Sequence, residues 1–457
     1  MTSGAGTQAV AADAADAAEA TPTGARPRVL GFWMCTALVV GNTIGMGIFL
    51  LPAGLAPYGF NATLGWIVTL AGCIALARVF ARLASEFPRA DGPFGYIRNT
   101  LGETAAFVTI WCYWVSVWVT NAALAVAVVG YLLALVPAAA PIPPVAIALT
   151  LVWLFVGVSM LGARTGGAVQ VLTTVLKLVP MLAVIGLGAW LLVTDPGALD
   201  VSLPSAPLSV TATMAASTIA LFAMLGFESA TLPAGQVRDP ARTIPRATLV
   251  GTLLVAAIYV AVCTIPMLLL APDVLAKSTA PFVDVIDRVL GEGSGRWLAL
   301  FVVVSGIGAL NGWTLLVGEL TRTMAAHGVL PALLARSNRR GAPVLALLLT
   351  GLLASAMVTM SYSKSMVQGF VFLSTVVTAA NLPLYLFCSI ALVVVWRRGG
   401  PAAPPGVLLI AILGAAFAVF AFIGVGSEPF KWALALAAAG IPVYVVMRLR
   451  RRAATSA

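Results

Sequence analysis

The sequence predicts an all-α integral membrane protein, and three observations carry this prediction. Hydrophobic residues make up 61% of the 457 residues and charged residues only 9%, whereas a soluble domain carries about 25% charged residues. The mean hydropathy of the chain is +1.03. The apolar residues also fall into runs of about 20, the length that crosses a bilayer as a helix. A soluble enzyme, a disordered chain and a secreted disulfide scaffold are therefore excluded.

Twelve apolar segments make up one transmembrane domain, residues 30–457. Residues 1–29 have neither a basic start nor a cleavage site, so we expect a disordered cytoplasmic tail there rather than a signal peptide. Between segments seven and eight, a short surface helix is expected from Phe282 to Leu290. The segments, numbered one to twelve, span 33–54, 62–84, 104–136, 143–162, 168–193, 211–233, 247–271, 294–325, 343–361, 367–395, 406–424 and 430–447.

The distribution of basic residues predicts the topology. With the N-terminus in the cytoplasm, the inside segments hold 20 Lys and Arg residues and the outside loops hold 5. Cytoplasmic loops of membrane proteins carry such an excess. Both termini are therefore expected in the cytoplasm, and the net charge of +10 needs no nucleic acid as a partner.

The chain offers little for enzymatic or metal chemistry. Its five cysteines lie in apolar stretches and form no Cys-x-x-Cys pair, so we expect small buried side chains. The one histidine, His327, falls in a cytoplasmic loop without an acidic partner nearby. An ion channel is disfavoured because no charged ring or repeated filter loop is visible. We predict no enzyme, no cofactor and no metal.

Two segments contain breaks that a simple membrane span does not need. Segment one carries Gly41-Asn42-Thr43-Ile44-Gly45-Met46-Gly47, and segment six carries Leu225-Gly226-Phe227-Glu228-Ser229-Ala230. The two breaks occupy the same place in two groups of five segments. Such pairs are typical of transporters built from inverted repeats, with the site at the membrane midplane. We predict a 5+5 inverted repeat with broken helices 1 and 6, residues 33–193 and 211–395, plus two C-terminal helices, 406–447.

The two breaks together predict the class of ligand. An unwound stretch exposes N–H and C=O groups that are costly in lipid unless they are paired. The half-helix that starts near Gly45 offers N–H groups and a positive dipole end to a carboxylate. The half-helix that ends near Leu225 offers carbonyl groups to an ammonium. This pattern favours an α-amino acid or a related zwitterion. Close packing of helices at the glycines is the alternative.

Two ionisable residues lie deep in apolar segments, Glu228 and Lys177. Because a charge inside the membrane costs about 2.5 kcal/mol or more, such residues are functional hypotheses. Glu228 carries protons or holds the unwound helix in shape, and the sequence leaves both open. Lys177 takes the place of a sodium ion and bridges segment one to segment eight, or it pairs locally. Glu319 and Arg322 are expected to form a local ion pair.

Four stretches carry a resemblance to a known family. They are Gly41-Asn42…Gly45…Gly47…Phe49-Leu50-Leu51-Pro52, Tyr113-Trp114…Trp118…Asn121, Gly226-Phe227-Glu228-Ser229-Ala230 and Gly312-Trp313-Thr314-Leu315-Leu316, and the loop Asp239-Pro240…Pro245 adds to them. The chain resembles the amino acid–polyamine–organocation transporters from about Gly31 onward, and among them the basic amino acid/polyamine antiporters.

The resemblance implies a role for particular residues. The backbone at Thr43, Gly45 and Gly47 is implied to hold the carboxylate of the substrate, and Met46 stands where the family has a serine near that carboxylate. Carbonyl groups at Phe222, Ala223 and Leu225 are implied to hold its amino group, and Phe222 also stands where the family has an aromatic gate. The side-chain pocket is implied to include Ser116, Val117, Asn121, Trp313 and Val377. Trp313 would stack on a cationic side chain.

Several positions depart from the family pattern, and each change removes a polar group. The apolar or smaller residues are Met46, Phe94, Val117, Ala223 and Val377. Since burying a charge without partners is costly, these changes favour a neutral aliphatic amino acid. Trp313 and Asn121 favour a cationic amino acid or the amine derived from it. We lean to the cationic class, and the neutral class stays open.

We therefore predict a transporter that moves amino acids or amines by alternating access, by exchange or with protons. A membrane sensor that binds without transport is a distant alternative. Arg outnumbers Lys 22 to 4, which suggests a GC-rich bacterial genome and hence the inner membrane of a bacterium. The expected partners are the small-molecule substrate and the bilayer, and protons in the coupling step are an open alternative; a homodimer is implied only by the resemblance.

Overall fold

The structure is a computed structural model that describes residues 31–87, 92–162, 166–198, 207–226, 237, 239–399 and 404–455. Its regular structure in these ranges is helical. The α-helices are α1 (Phe32–Thr43), α2 (Leu51–Leu55), α3 (Phe60–Glu86), α4 (Gly92–Leu101), α5 (Glu103–Leu135), α6 (Pro144–Met160), α7 (Gly166–Thr194), α8 (Val210–Met224), α9 (Pro240–Leu269), α10 (Pro272–Leu275), α11 (Pro281–Leu290), α12 (Arg296–Ala326), α13 (Val344–Ser361), α14 (Met366–Arg398), α15 (Pro405–Gly424), α16 (Ser427–Ala438) and α17 (Gly440–Thr455).

The helices confirm the predicted membrane architecture. Within the described ranges, nine helical spans are long and apolar enough to cross a bilayer, and α1, α6 and α8 are shorter apolar helices. Together they account for the twelve predicted segments, with α1 and α2 forming segment one and α16 and α17 forming segment twelve. The predicted surface helix between segments seven and eight is confirmed as α11.

The centre of the molecule is built around α5 and α14. Of the most apolar stretch of α5, 83% is buried, and for α14 the share is 72%. For the stretch that covers α16 and α17 it is 6%. Such helices, apolar on all sides, belong either in the interior or against lipid. The first two therefore form the core of the bundle, and the last two present their apolar faces to the membrane.

A close contact between α3 and α8 positions the end of segment six. Gly65 on α3 lies so near the backbone of Ala216 and Ser217 that a β-carbon there would be 2.8 Å from the Ser217 nitrogen. The Thr69 hydroxyl donates to the Ser217 carbonyl at 3.0 Å and pairs with its hydroxyl at 2.9 Å. Small residues permit this approach and hydroxyl groups join the helices, as is common in membranes.

Segment one is interrupted where the glycines predicted it. The α1 helix ends at Thr43, Ile44 and Gly45 are extended, and a 3₁₀ turn (Met46–Phe49) leads into α2. Segment six also stops early, because α8 ends at Met224 and Gly226 follows with φ of 103°. The remainder of the predicted break in segment six, including Glu228, lies outside the described residues, as does the tail 1–29. The relation of the two halves as inverted repeats stays a prediction.

Segment twelve forms the predicted span, Ser427–Arg450, with one irregular residue inside it. The helix is divided at Ala439 into α16 and α17. Gly440 packs on the indole of Trp111, where a β-carbon would come within 2.8 Å of three ring atoms. The Trp111 indole N–H also donates to the Leu436 carbonyl at 2.9 Å. A side chain on α5 therefore engages the backbone at this division, a tertiary effect that hydropathy does not report.

Candidate functional site

The break in segment one forms the first wall of a central cavity. Ile44 has φ and ψ of −70° and 97°, and Gly45 has −103° and 177°. Since neither residue is helical, the backbone groups around them lack the regular partners of a helix. Gly45 faces open space, and no atom lies within 4 Å of the position that a β-carbon would take.

Lys177 on α7 reaches the carbonyl side of this break. Its ammonium donates to the Ile44 carbonyl at 2.8 Å and to the Gly41 carbonyl at 3.4 Å. The residue is 3% exposed. A buried cation is stable only when paired or hydrogen-bonded, and here two backbone carbonyl oxygens provide the partners. The position beside broken segment one agrees with the expectation from sequence, whereas the bridge to segment eight stays a prediction.

Tyr259 on α9 is a second residue that holds the break, and it was missed in the sequence. Its hydroxyl donates to the Thr43 carbonyl at 2.9 Å, and its side chain is fully buried. The ring packs edge-on against Trp66, with centroids 5.9 Å apart. A single tyrosine in the apolar run Ala257-Ile258-Tyr259-Val260 was the available signal, but it is equally typical of a core residue.

The end of α8 forms the opposite wall. The last carbonyl groups of any helix have no partner within it, and here the Leu225 N–H takes up the Phe222 carbonyl at 3.3 Å. The Phe222 ring lies on Gly47, where a β-carbon would collide with it, and packs edge-on against Phe370 at 5.8 Å. The apolar side chain of Phe222 therefore lies between the end of α8 and the break in segment one.

The cavity between these walls collects most of the predicted backbone site. The cavity is narrow, with a volume of about 30 Å³ for a water-sized sphere. Seven predicted residues line it, and Ile48, Thr120 and Leu124 are additional. The lining residues are Thr43, Gly45, Gly47, Ile48, Thr120, Leu124, Phe222, Ala223, Leu225 and Trp313. Thr120 and Leu124 are one helical turn apart, a spacing that places them on one face of α5.

Five predicted residues lie behind this lining. Met46 is 1% exposed, and its side chain packs beside Gly306 of α12, where a β-carbon would be 2.9 Å from the Met46 sulfur. The Ser116 hydroxyl donates to the Tyr113 carbonyl at 2.7 Å. Val117 and Val377 are buried at 1% and 0% exposure. The fifth residue is Asn121.

Asn121 joins α5 to α12. Its side-chain oxygen accepts a hydrogen bond from the Thr314 hydroxyl at 3.2 Å, and its amide nitrogen donates to the Val117 carbonyl at 3.4 Å. Thr314 adjoins Trp313, which lines the cavity. The pair Asn121 and Thr314 therefore fixes the helix that presents the indole. Thr314 was part of a matching motif, but its partner depends on how the two helices cross.

The remaining candidates stand apart from the cavity. Glu319 and Arg322 form the predicted local ion pair, with a nitrogen–oxygen distance of 2.7 Å. His327 is exposed and its ring nitrogen lies 2.9 Å from the Thr323 carbonyl. The five cysteines are free and buried, as predicted. Among the described residues, no three His, Cys, Asp or Glu side chains come together as metal ligands would.

Twelve apolar segments, one interrupted and another ended early around a central cavity, define a secondary transporter of the membrane. The chain belongs to the amino acid permease family, whose model matches residues 30–444. This membership confirms the predicted resemblance to amino acid–polyamine–organocation transporters. The protein is a multi-pass membrane transporter and not an enzyme.

Individual relatives agree with the family. The chain is 30% identical over 433 residues to a putative arginine/ornithine antiporter of Bacillus subtilis, covering 86% of this chain and 91% of the relative. It is 31% identical over 332 residues to a cadaverine/lysine antiporter of Escherichia coli K12, covering 72% and 74%. It is 28% identical over 410 residues to a putrescine transporter of the same strain, covering 88% and 92%.

Proposed function

We propose that this protein exchanges cationic amino acids and their amines across the membrane by alternating access. The observation that carries the proposal is the cavity in which Trp313 faces the break of segment one and the end of α8. An indole face attracts a cation by about 0.5–2 kcal/mol, depending on solvation. The relatives, named for arginine, ornithine, lysine, cadaverine and putrescine, support the same class.

The two walls suit the two ends of an α-amino acid. N–H groups at the 3₁₀ turn that contains Gly47 can donate to a carboxylate, and carbonyl groups near Ala223 can accept from an ammonium. Such binding satisfies backbone groups that are otherwise costly in a dry site. An amine without the carboxylate would use only the second wall and the indole.

A neutral aliphatic amino acid is the second candidate. None of the ten lining residues carries a charge, and Val117 and Val377 are apolar where the family pattern is polar. A positively charged side chain would then depend on the indole and on backbone carbonyl groups for stabilisation. A sensor that binds without transport is the third candidate, and flux separates it from the other two.

We infer that coupling involves Lys177, which is buried, and Glu228. Lys177 can lose its proton when the break in segment one moves and its carbonyl partners separate from it. Glu228 is the other candidate proton carrier. If Glu228 titrates, Glu228→Gln flattens the pH dependence of exchange, and an unchanged profile assigns it a structural role. Cytoplasmic termini, a bacterial inner membrane and a homodimer stay predictions from the sequence.

Counterflow into proteoliposomes tests the substrate class. Vesicles are loaded with one unlabelled amino acid or amine, and uptake of labelled arginine and labelled leucine is followed. Arginine uptake driven only by internal arginine, agmatine or lysine supports the proposal. Leucine uptake without arginine uptake favours the neutral class. Binding of label without accumulation under every load favours the sensor.

Trp313→Ala tests directly whether the indole that lines the cavity binds the substrate. We expect loss of counterflow, because the variant removes the aromatic face and leaves a cavity. Trp297→Ala is the matched control, since Trp297 lies on the same helix and is 75% exposed. The control is expected to transport as the wild type does. Unchanged affinity in Trp313→Ala would remove this residue from the site.

A further inference from the structure

The loop helix α11 is tied to the transport bundle by one buried tyrosine. Tyr131 on α5 is fully buried. Its hydroxyl donates to the Phe49 carbonyl at 2.8 Å and accepts from the Phe282 N–H at 3.3 Å. Phe49 ends the 3₁₀ turn that follows the break in segment one, and Phe282 lies in the first turn of α11. One hydroxyl therefore joins two elements that are far apart in the chain.

The bond to α11 replaces a missing helix cap. The first N–H groups of a helix have no partner within it. Residue Ala280 is the N-cap of α11 and has no side chain that could accept from them. Tyr131 supplies the acceptor instead, from a different helix. The start of α11 is thus fixed to α5 by a specific hydrogen bond and not only by apolar contact.

Close packing reinforces this connection. The rings of Phe49 and Phe282 meet edge-to-face with centroids 5.3 Å apart, and those of Phe49 and Tyr131 are 6.1 Å apart. Gly130 lies directly against the Thr279 carbonyl, and a β-carbon there would collide with it. The loop therefore approaches the backbone of α5 directly beside Tyr131.

Two side-chain hydrogen bonds also stabilise the loop internally, one near its start and one near its end. The Ser278 hydroxyl donates to the Asp284 carboxylate, and the Asp287 carboxylate accepts from the Gly295 N–H at 2.7 Å. Burial raises the pKa of Asp284 above its usual value. Gly295 directly precedes α12, the helix that carries Trp313.

We propose that Tyr131 is a positioning residue of the transport cycle: its hydroxyl holds the second half of broken segment one against α11 and so keeps the cavity closed on the α11 side. This inference rests on the proposed alternating access. Phe49 lies two residues beyond Gly47, which lines the cavity, so opening on that side must stretch the bond to Phe49 or the bond to Phe282.

Sided labelling of the cavity tests the inference. A reporter, Thr120→Cys, is placed in the lining, and the five native cysteines are all buried. An impermeant thiol reagent is applied to intact cells and to inside-out vesicles. Removing one such hydrogen bond shifts the balance of open and closed states about fivefold. Tyr131→Phe is therefore expected to raise the labelling rate about fivefold on the α11 side and to lower it on the other.

Tyr362→Phe in the same reporter is the matched control. In the described part of the chain, the Tyr362 hydroxyl is buried without a hydrogen-bond partner. Removing this hydroxyl therefore breaks no hydrogen bond. Equal labelling rates in the two variants, on both faces, would overturn the inference. A merely structural role would change both faces in the same direction, and that result would also overturn it.

A second variant protects the test against misfolding. Phe282→Leu keeps the hydrogen bonds of Tyr131 but removes the edge-to-face ring contact, and we expect a smaller shift of the same sign. If neither variant changes the ratio of labelling on the two faces, the contact of Tyr131 with Phe49 and Phe282 does not keep the cavity closed. Labelling needs no substrate, so a failure of the proposed substrate class in counterflow leaves this result independent.

Discussion

The two interrupted segments occupy corresponding places in the sequence but are stabilised in different ways. At the break in segment one, Lys177 and Tyr259 donate to the carbonyl groups of Gly41, Thr43 and Ile44. At the end of α8, the Leu225 N–H donates to the Phe222 carbonyl. A charged side chain thus reaches the first break, while the described end of the second presents backbone and apolar side chains.

This difference means that the two breaks bind different ends of the substrate. Carbonyl groups that already have a cation as partner gain little from the amino group of a substrate, so segment one is left to bind through its N–H groups. Carbonyl groups at the end of α8 have lost their helical partners and gain more from an ammonium. The asymmetry therefore predicts the orientation of the substrate, with its carboxylate at segment one and its amino group at α8.

The largest expected effect comes from Lys177→Met, which removes the cation and keeps the bulk of the side chain. The carbonyl groups of Gly41 and Ile44 then lose their donor, at a cost of about 2 kcal/mol, or a factor of about 30 in the bound-state population. The desolvation cost of the ammonium disappears as well, so the thermal midpoint should change less than transport. Counterflow rates and a melting curve of the purified protein measure the two.

Lys364→Met is the control for this variant. Lys364 pairs with Glu428 at 3.0 Å, with side chains 31% and 56% exposed. Exposed pairs contribute about 1 kcal/mol or less, so transport should hardly change. If Lys177→Met exchanged substrate within twofold of the wild type, the two breaks would not differ in the way proposed here.

The break in segment one and the early end of α8 could be predicted from the sequence for a physical reason. Three glycines or a carboxylate inside an apolar run contradict a simple membrane span, and the contradiction is local. The apolar lengths of the segments are local too, which is why all twelve have a helical counterpart. The contact of Trp111 with Leu436 and Gly440 joins residues more than 300 positions apart, and no local pattern predicts it.

The side-chain contacts within the site could not be predicted, because they depend on how helices distant in the sequence pack together. Tyr259 resembles a core residue until its hydroxyl is seen at the Thr43 carbonyl. Met46 and Asn121 lie on the predicted elements, but the turn after Gly45 and the crossing of α5 with α12 direct their side chains behind the lining. The sequence thus predicted which backbone segments form the cavity better than which side chains do.

The contact between the two breaks is tested by Gly47→Ala. A β-carbon at Gly47 would collide with the Phe222 ring, and such overpacking costs about 1–3 kcal/mol. We expect KM in counterflow to rise about tenfold, which corresponds to about 1.4 kcal/mol, in the lower half of that range. Gly157→Ala on α6 is the control, because no atom lies within 4 Å of the position of its β-carbon and it does not line the cavity.

Rescue distinguishes the collision from a loss of backbone flexibility. The double variant Gly47→Ala/Phe222→Leu relieves the overlap, so it should recover part of the lost affinity through coupling between the two sites. No recovery in the double variant would mean that the segment needs a flexible glycine and that the Phe222 ring is incidental.

The smallest expected effect belongs to Tyr259→Phe, which removes one neutral hydrogen bond and leaves the ring on Trp66. The Thr43 carbonyl loses its donor, and a loss of about 1 kcal/mol raises KM about fivefold. The informative measurement is the double variant with Lys177→Met. Since both side chains hold the same break, their effects should not add. Additive effects would mean that each residue acts on a separate element, and the account of segment one as a single braced unit would fail.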